Sequence, residues 1–210
     1  MKTKKQQIQA IRKNLNNFTL QTFQTDALDQ RGIASVIEHG VQQHFINQEL
    51  FEYSEPKSVR SIDDFTLKCN DQTYLIDIKT HDADREFSMP NLISTERLFK
   101  LYKEPNTTFG IAILDYVSDF GDEKYKVISK TKFLPIENIS WESLSIQNLG
   151  HGQIQITNLN KELKTFNGTR KQWLAQFALE MVKYQDKLLV KMTERREKWI
   201  KRQGETLLDC

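Results

Sequence analysis

With two cysteines, four histidines, four prolines and eight glycines in 210 residues, this sequence is poor in the residues that mark several protein classes. Cys69 lies in a strand-like stretch and Cys210 is the last residue. Neither has a second cysteine nearby, so a thiolate zinc site or a redox pair is not expected. His39 and His44 are five residues apart, the wrong spacing for a metal pair on one helical face, and His81 and His151 stand alone. No apolar run approaches the length of a membrane span; Gly110–Leu114 is typical. The opening Met1–Arg12 stretch is basic and polar with no apolar centre, so no secretory leader and a cytoplasmic, reducing setting are expected. Nor is there a strong charge of one sign. Thirty Lys and Arg against 28 Asp and Glu leave a net charge of +2, so any polyanion-binding surface must come from local clustering. What remains is an ordinary globular composition, 38% hydrophobic and 28% charged, sized for one domain over residues 1–210.

The order of elements follows from periodicity. Ile8, Ile11, Leu15 and Phe18 recur at helical spacing and predict a helix over about 3–18; Ile33, Ile37, Val41 and Phe45 predict a second over about 32–47. Residues 59–68 and 72–79 predict two strands turning at Asn70-Asp71. Residues 80–90 predict a loop, with Asn91 capping a helix that carries Leu92, Ile93, Leu98, Phe99 and Tyr102. Residues 108–117 predict a central strand; 125–128, 133–136 and 153–158 predict further strands, the last after the Gly150-His151-Gly152 turn. Asn167-Gly168 is a turn, and Thr169 with Gln172 forms a capping box. A long final helix follows, with Trp173, Phe177, Met181, Tyr184, Leu188, Met192 and Trp199 on one face. Together these imply an α/β (α+β) domain with a mixed central sheet flanked by helices.

The chemistry is concentrated in the segment from Asp64 to Lys79. Strand side chains alternate faces, so Tyr74, Ile76 and Ile78 point into the core while Leu75, Asp77 and Lys79 point the other way. A hairpin partner brings Asp64 against Asp77. Facing carboxylates repel and need a cation between them; oxygen donors with open positions suit Mg²⁺, which could polarise a phosphodiester and activate water. Lys79 beside them could orient the water or stabilise charge developing on phosphorus. An isolated Asp-x-Lys at a strand end is most often only a solvated charge pair. The upstream aspartate, the hairpin and the apolar alternate face make it more informative.

These residues resemble the PD-(D/E)xK motif, and three stretches resemble the HincII-like type II restriction endonucleases. They are 75–80 with 90–94 following, 139–141 with 154–156, and Phe166-Asn167-Gly168-Thr169-Arg170 with Trp173. The similarity spans about residues 33–190. It implies a restriction-endonuclease-like fold, Mg²⁺ as cofactor, double-stranded DNA as partner, a homodimer, and neither a nucleotide cofactor nor a membrane. It implies Asp64 and Asp77 as metal-binding carboxylates, the Ile78 carbonyl as a further ligand and Lys79 as the catalytic lysine. The separation of the aspartates, 77 − 64 = 13, is the family's. Glu38 matches an acidic residue near the active site. Ser88, Met89 and Asn91 match a stretch that enters a DNA groove, and Thr80, His81, Ser140, Asn167, Thr169 and Arg170 are further DNA-contact candidates.

There are departures from the family pattern. Asp63 replaces the usual proline and is a rival to Asp64 as ligand. The chain is shorter between Glu38 and Asp64. Ser140 stands where the resembled enzyme has Asn, so the target sequence is expected to differ. Other roles stay open for several residues: an exposed loop position for His81, a structural turn for Asn167 and Arg170, and a solvated face for the Lys and Arg residues of the final helix. Three functions are compatible with the whole. They are a type II restriction endonuclease, a structure- or mismatch-specific repair nuclease on the same fold, and a catalytically inactive DNA-binding relative. The intact Asp64, Asp77 and Lys79 argue against the third.

Overall fold

The computed structural model describes residues 2–18, 22–24, 30–56, 58, 61–84, 89–119, 124–127, 132–147, 152–157 and 162–208. The chain opens with helix α1, Lys4–Asn16. Its Thr3 hydroxyl accepts from the Gln6 amide while the Gln6 side chain accepts from the Thr3 N–H, a reciprocal cap. Ile11 and Leu15, four residues apart, are fully buried. Strand β1 (Thr22–Gln24) and helix α2 (Gln30–Ile46) follow. In α2, Ile33, Ile37, Val41 and Phe45 repeat every four residues and are all buried. Both helices therefore lie close to their predicted bounds.

Next come β2 (Glu52–Ser54), β3 (Phe65–Cys69), β4 (Gln72–Asp82), β5 (Asn91–Ser94), α3 (Thr95–Leu101) and β6 (Thr107–Asp119). Strands β7 (Lys124–Val127), β8 (Lys132–Pro135), β9 (Leu144–Gln147) and β10 (Gln153–Ile156) lead to α4 (Arg170–Leu208). Seven strands form one mixed sheet in the order β1-β7-β6-β4-β3-β2, with β8 also on β6. The β4–β6 pair at its centre is parallel, and the others are antiparallel. A smaller antiparallel sheet runs β5-β10-β9.

The main sheet is covered on both faces. On one side Tyr74, Ile76 and Ile78 of β4 join Ala112, Leu114 and Tyr116 of β6 in a core with α1 and α2. On the other, Ile111 and Ile113 pack with Leu98 of α3, Ile154 and Ile156 of β10, and Trp173 and Phe177 of α4. Leu75, half-buried, joins this second core, so the alternation predicted for β4 is observed.

Several expectations are corrected. The first hairpin strand begins at Phe65, not near 59, because residues 61–64 form an irregular approach. β4 runs on to Asp82, since β6 offers a parallel partner as far as the Asp82–Tyr116 pair; His81 is thus on a strand, buried, not in an exposed loop. Asn91 does not cap a helix. Residues 91–94 pair with β10, and Ser94 caps α3 by accepting from the Arg97 N–H. The short strands β1, β2 and β9 carry too few residues for a period to show. The face predicted for the last helix is packed only in its first turns: Trp173, Phe177 and Tyr184 are buried, whereas Met192 and Trp199 are exposed. Gly152 has φ +102°, where a side chain would be strained and would also press on Thr95, Ile146 and Tyr184. No helix among the described residues is long and apolar enough to cross a membrane.

Candidate active site

The hairpin β3–β4 sets the geometry. Phe65 pairs with Ile76 at the end of the ladder, and Asp64, just before it, lines the same cleft as Asp77. Asn70 turns the hairpin with φ 57°, a left-handed conformation that asparagine tolerates. The Asp64 N–H donates to the Ile76 carbonyl at 2.8 Å, and Asp64 Oδ2 accepts from the Ile78 N–H at 2.5 Å. The Gln42 amide of α2 donates to the Asp64 carbonyl at 2.9 Å. Asp64 is thus fixed by backbone on one side and by α2 on the other.

Asp77 is buried, and its two oxygens differ. Oδ1 accepts from Lys79 Nζ at 2.8 Å, while Oδ2 is buried with no hydrogen-bond partner. An unpartnered carboxylate oxygen in the interior is costly unless something else meets it. Burial pushes Asp77 up to about 7; Lys79 opposes that rise, and Asp64 and Glu38 add to it. Burial also pushes Glu38 up to about 7, reinforced by the Asp64 carboxylate. Asp64 is raised as well, by burial, against the pull of the Ile78 N–H and Lys79. Three carboxylates therefore share one field, with Lys79 as the cation that acts on all of them.

Asp63 is placed differently. Its Oδ1 accepts from the Ser61 hydroxyl, and its Oδ2 accepts from the Thr66 hydroxyl at 2.7 Å. Both oxygens of Asp63 are engaged in holding the start of β3. Asp64, not Asp63, meets Asp77 and Lys79.

Asp63, Asp64 and Asp77 line a cleft of about 570 Å³ that Ile93, Arg97, Lys100 and Gln153 also line. Sequence reasoning missed Arg97, Lys100 and Gln153, because only the docking of α3 and β10 across the cleft brings them there. Among the described residues, no three His, Cys, Asp or Glu side chains converge closely enough to hold a metal ion by themselves. A cation here would take the two aspartates and complete its shell with carbonyl and solvent oxygen. The unpartnered Asp77 Oδ2 and the like-charged field fit such an ion, and oxygen-only donors suit Mg²⁺.

The other predicted residues are scattered. Thr80 is half-buried on β4 opposite Leu114. His81 Nδ1 is 3.2 Å from Asp115 Oδ1, and its Nε2 is buried without a partner. Met89 is exposed beside β5, and Asn91 Oδ1 accepts from the Gln155 side-chain amide. Ser88 and His151 lie outside the described residues. The Ser140 hydroxyl accepts from the Glu142 N–H within its own turn. Asn167 and Thr169 are exposed, and Thr169 forms the predicted capping box with Gln172. Arg170 is occupied inside the protein. It donates to Glu137 at 2.8 and 3.2 Å and to Thr108 at 3.1 Å, and lies 4.6 Å from the Tyr102 ring. Thr108 pairs with Tyr74, three residues before Asp77 on β4, so this cluster belongs to the other end of the strand.

The stretches around 139–141 and 164–173 meet directly. Ile139 bridges to Thr165, the Ser140 N–H donates to the Lys164 carbonyl at 2.8 Å, and Trp173 Nε1 donates to the Ile139 carbonyl at 2.8 Å. Trp141 stacks on Phe177 with an interplanar angle of 3°.

A mixed sheet with α1 and α2 on one face, α3 and α4 on the other, and an acidic pair on a central hairpin is a restriction-endonuclease-like fold. Among solved structures the chain is similar to the NlaIV restriction endonuclease, with a TM-score of 0.53 and 13% identity over 86% of this chain and 78% of that one. No protein-family profile matches the sequence, and no curated protein matches it.

Proposed function

We propose that this protein is a Mg²⁺-dependent DNA endonuclease of the type II restriction kind, cutting a short, palindromic double-stranded site as a homodimer. The observation that carries this is the buried, unpartnered Asp77 Oδ2, in a cleft that Asp64 also lines, with Lys79 bonded to its Oδ1. The similarity in fold to a restriction endonuclease and the sequence resemblance to HincII-like enzymes support the same assignment. Asp64, Asp77 and the Ile78 carbonyl would hold the metal. Once bound there, Mg²⁺ supplies Lewis acidity to a phosphodiester and favours deprotonation of an attacking water.

The protein's own groups do the rest. Lys79 holds Asp77 Oδ1 with one of its three N–H donors, leaving others for a phosphate oxygen. Glu38, raised to about 7, is suited to orient water at the edge of the acidic set. Asp63 keeps β3 in register through Ser61 and Thr66. Residues 88–91 are assigned to a DNA groove, with Met89 exposed and Asn91 carried on β5. Arg170 is assigned to the fold rather than to DNA, because its donors reach Glu137 and Thr108.

Incubation with plasmid DNA and Mg²⁺ tests the proposal. Discrete fragments support a restriction enzyme. Nicks, or cutting only at mismatches or branches, would instead make it a repair nuclease. DNA binding without any cleavage would make it an inactive relative.

A further inference from the structure

Among the described residues ten large apolar side chains are exposed, and seven of them lie on α4. That concentration marks one element as incompletely covered. The first turns of α4 are packed through Trp173, Phe177 and Tyr184. Val182, Leu189 and Ile200 lie on the opposite side of the same helix and are 58%, 63% and 52% exposed.

The unpacked side has a regular spacing. Val182, Asp186, Leu189, Thr193, Arg196 and Ile200 follow one another at alternating steps of four and three residues, the repeat of a coiled-coil seam. All six are exposed. Val182, Leu189 and Ile200 are its apolar positions, and Asp186, Thr193 and Arg196 its polar ones. We infer that this face of α4 pairs with α4 of a second copy of the chain, antiparallel.

The direction comes from charge. In a parallel pair each seam residue meets its own copy, so Asp186 would face Asp186 and Arg196 would face Arg196. In the antiparallel pair centred near Lys191, Val182 meets Ile200, Asp186 meets Arg196 and Leu189 meets Thr193, each contact occurring twice by symmetry. Val182 then meets apolar Ile200, Asp186 meets basic Arg196, and Leu189 meets the small Thr193, in a self-complementary two-fold interface. The apolar faces of α1 and α2 offer no comparable surface, because Ile11, Leu15, Ile37, Val41 and Phe45 are fully buried in their own core. The inference rests on the helix surface alone and does not need the nuclease assignment.

Sedimentation equilibrium of the full chain, without DNA, provides the test. The expected species is a dimer of two 24.7 kDa chains. Asp186→Arg or Arg196→Asp alone puts like charges together and should weaken the dimer by about tenfold or more. The combined Asp186→Arg/Arg196→Asp chain restores opposite charges and should recover affinity to within about threefold of the parent. Circular dichroism should be unchanged in all three variants, since both sites are exposed. A parent that stays monomeric overturns the inference. So does a dimer indifferent to the single changes, or one that the double change does not rescue.

Discussion

The Ile78 N–H donates to Asp64 Oδ2 at 2.5 Å, tying the aspartate that precedes β3 to the residue between Asp77 and Lys79 on β4. The carboxylate takes the place that a backbone carbonyl would fill if the hairpin ladder ran further. Asp64 is thereby aimed at Asp77 by main chain rather than by a flexible side-chain contact. One of its oxygens is occupied, and the other has no hydrogen-bond partner among the described residues.

Asp64→Asn, Asp77→Asn and Lys79→Ala should each lower Mg²⁺-dependent cleavage by about a thousandfold or more. DNA binding in Ca²⁺ should persist in Lys79→Ala, which removes a group assigned to chemistry. Asp63→Asn should reduce thermal stability, through the lost Ser61 and Thr66 contacts, more than it reduces the rate for folded protein. Inactive but fully stable Asp63→Asn would make Asp63 the ligand.

The acidic set makes metal-free stability depend on pH. Asp77 is raised from 3.8 to about 7 in the folded state, chiefly by burial. Between about pH 4 and pH 7 the folded state therefore binds more protons than the unfolded one, and stability falls as pH rises through that window. Asp77→Asn should be more stabilising at pH 8 than at pH 5, by a few degrees or more, since one kcal/mol moves Tm by about 2–4 °C in a chain of this size. Added Mg²⁺ should raise the parent's Tm at pH 8 and do little for Asp77→Asn. Thermal melts at both pH values check this. A Tm difference between parent and variant that does not change with pH would contradict it.

Asn91→Ala should weaken binding to the cognate site by about 1–3 kcal/mol and leave random DNA nearly unaffected. Because Asn91 also accepts from Gln155, the Gln155→Ala variant serves as a control for local packing. Equal loss on both DNAs in Asn91→Ala would assign Asn91 to packing or to backbone contact.

Arg170→Ala should act on the fold. Among the described residues it leaves the buried Glu137 with Lys4 at 3.5 Å and the Tyr102 hydroxyl at 2.6 Å, and should cost on the order of 3 kcal/mol. Denaturant unfolding measures the loss. Full stability with weakened DNA affinity would return Arg170 to the DNA surface.

The β3–β4 hairpin was legible in the sequence because its signals are local. Alternation over Tyr74–Lys79 and the Asn70-Asp71 turn depend only on chain geometry, while the 13-residue separation of the aspartates was informative only through the resemblance. The helices with four-residue apolar repeats were legible for the same reason. The limits of β4 and β5 were not, since a polar stretch such as Thr80–Asp82 becomes strand only when β6 lies beside it.

The sequence by itself determined the two early helices, the hairpin and the side of β4 on which Asp77 and Lys79 sit. These follow from periods of 2 and 3.6 residues and from a short turn. Only the tertiary structure decided between Asp63 and Asp64 as the residue facing Asp77, because that depends on which hydroxyls are within reach. It alone turned Arg170 inward to Glu137 and set Arg97, Lys100 and Gln153 across the cleft. It also left the second half of α4 uncovered. Those outcomes come from contacts between residues distant in the chain, and no local spacing encodes them.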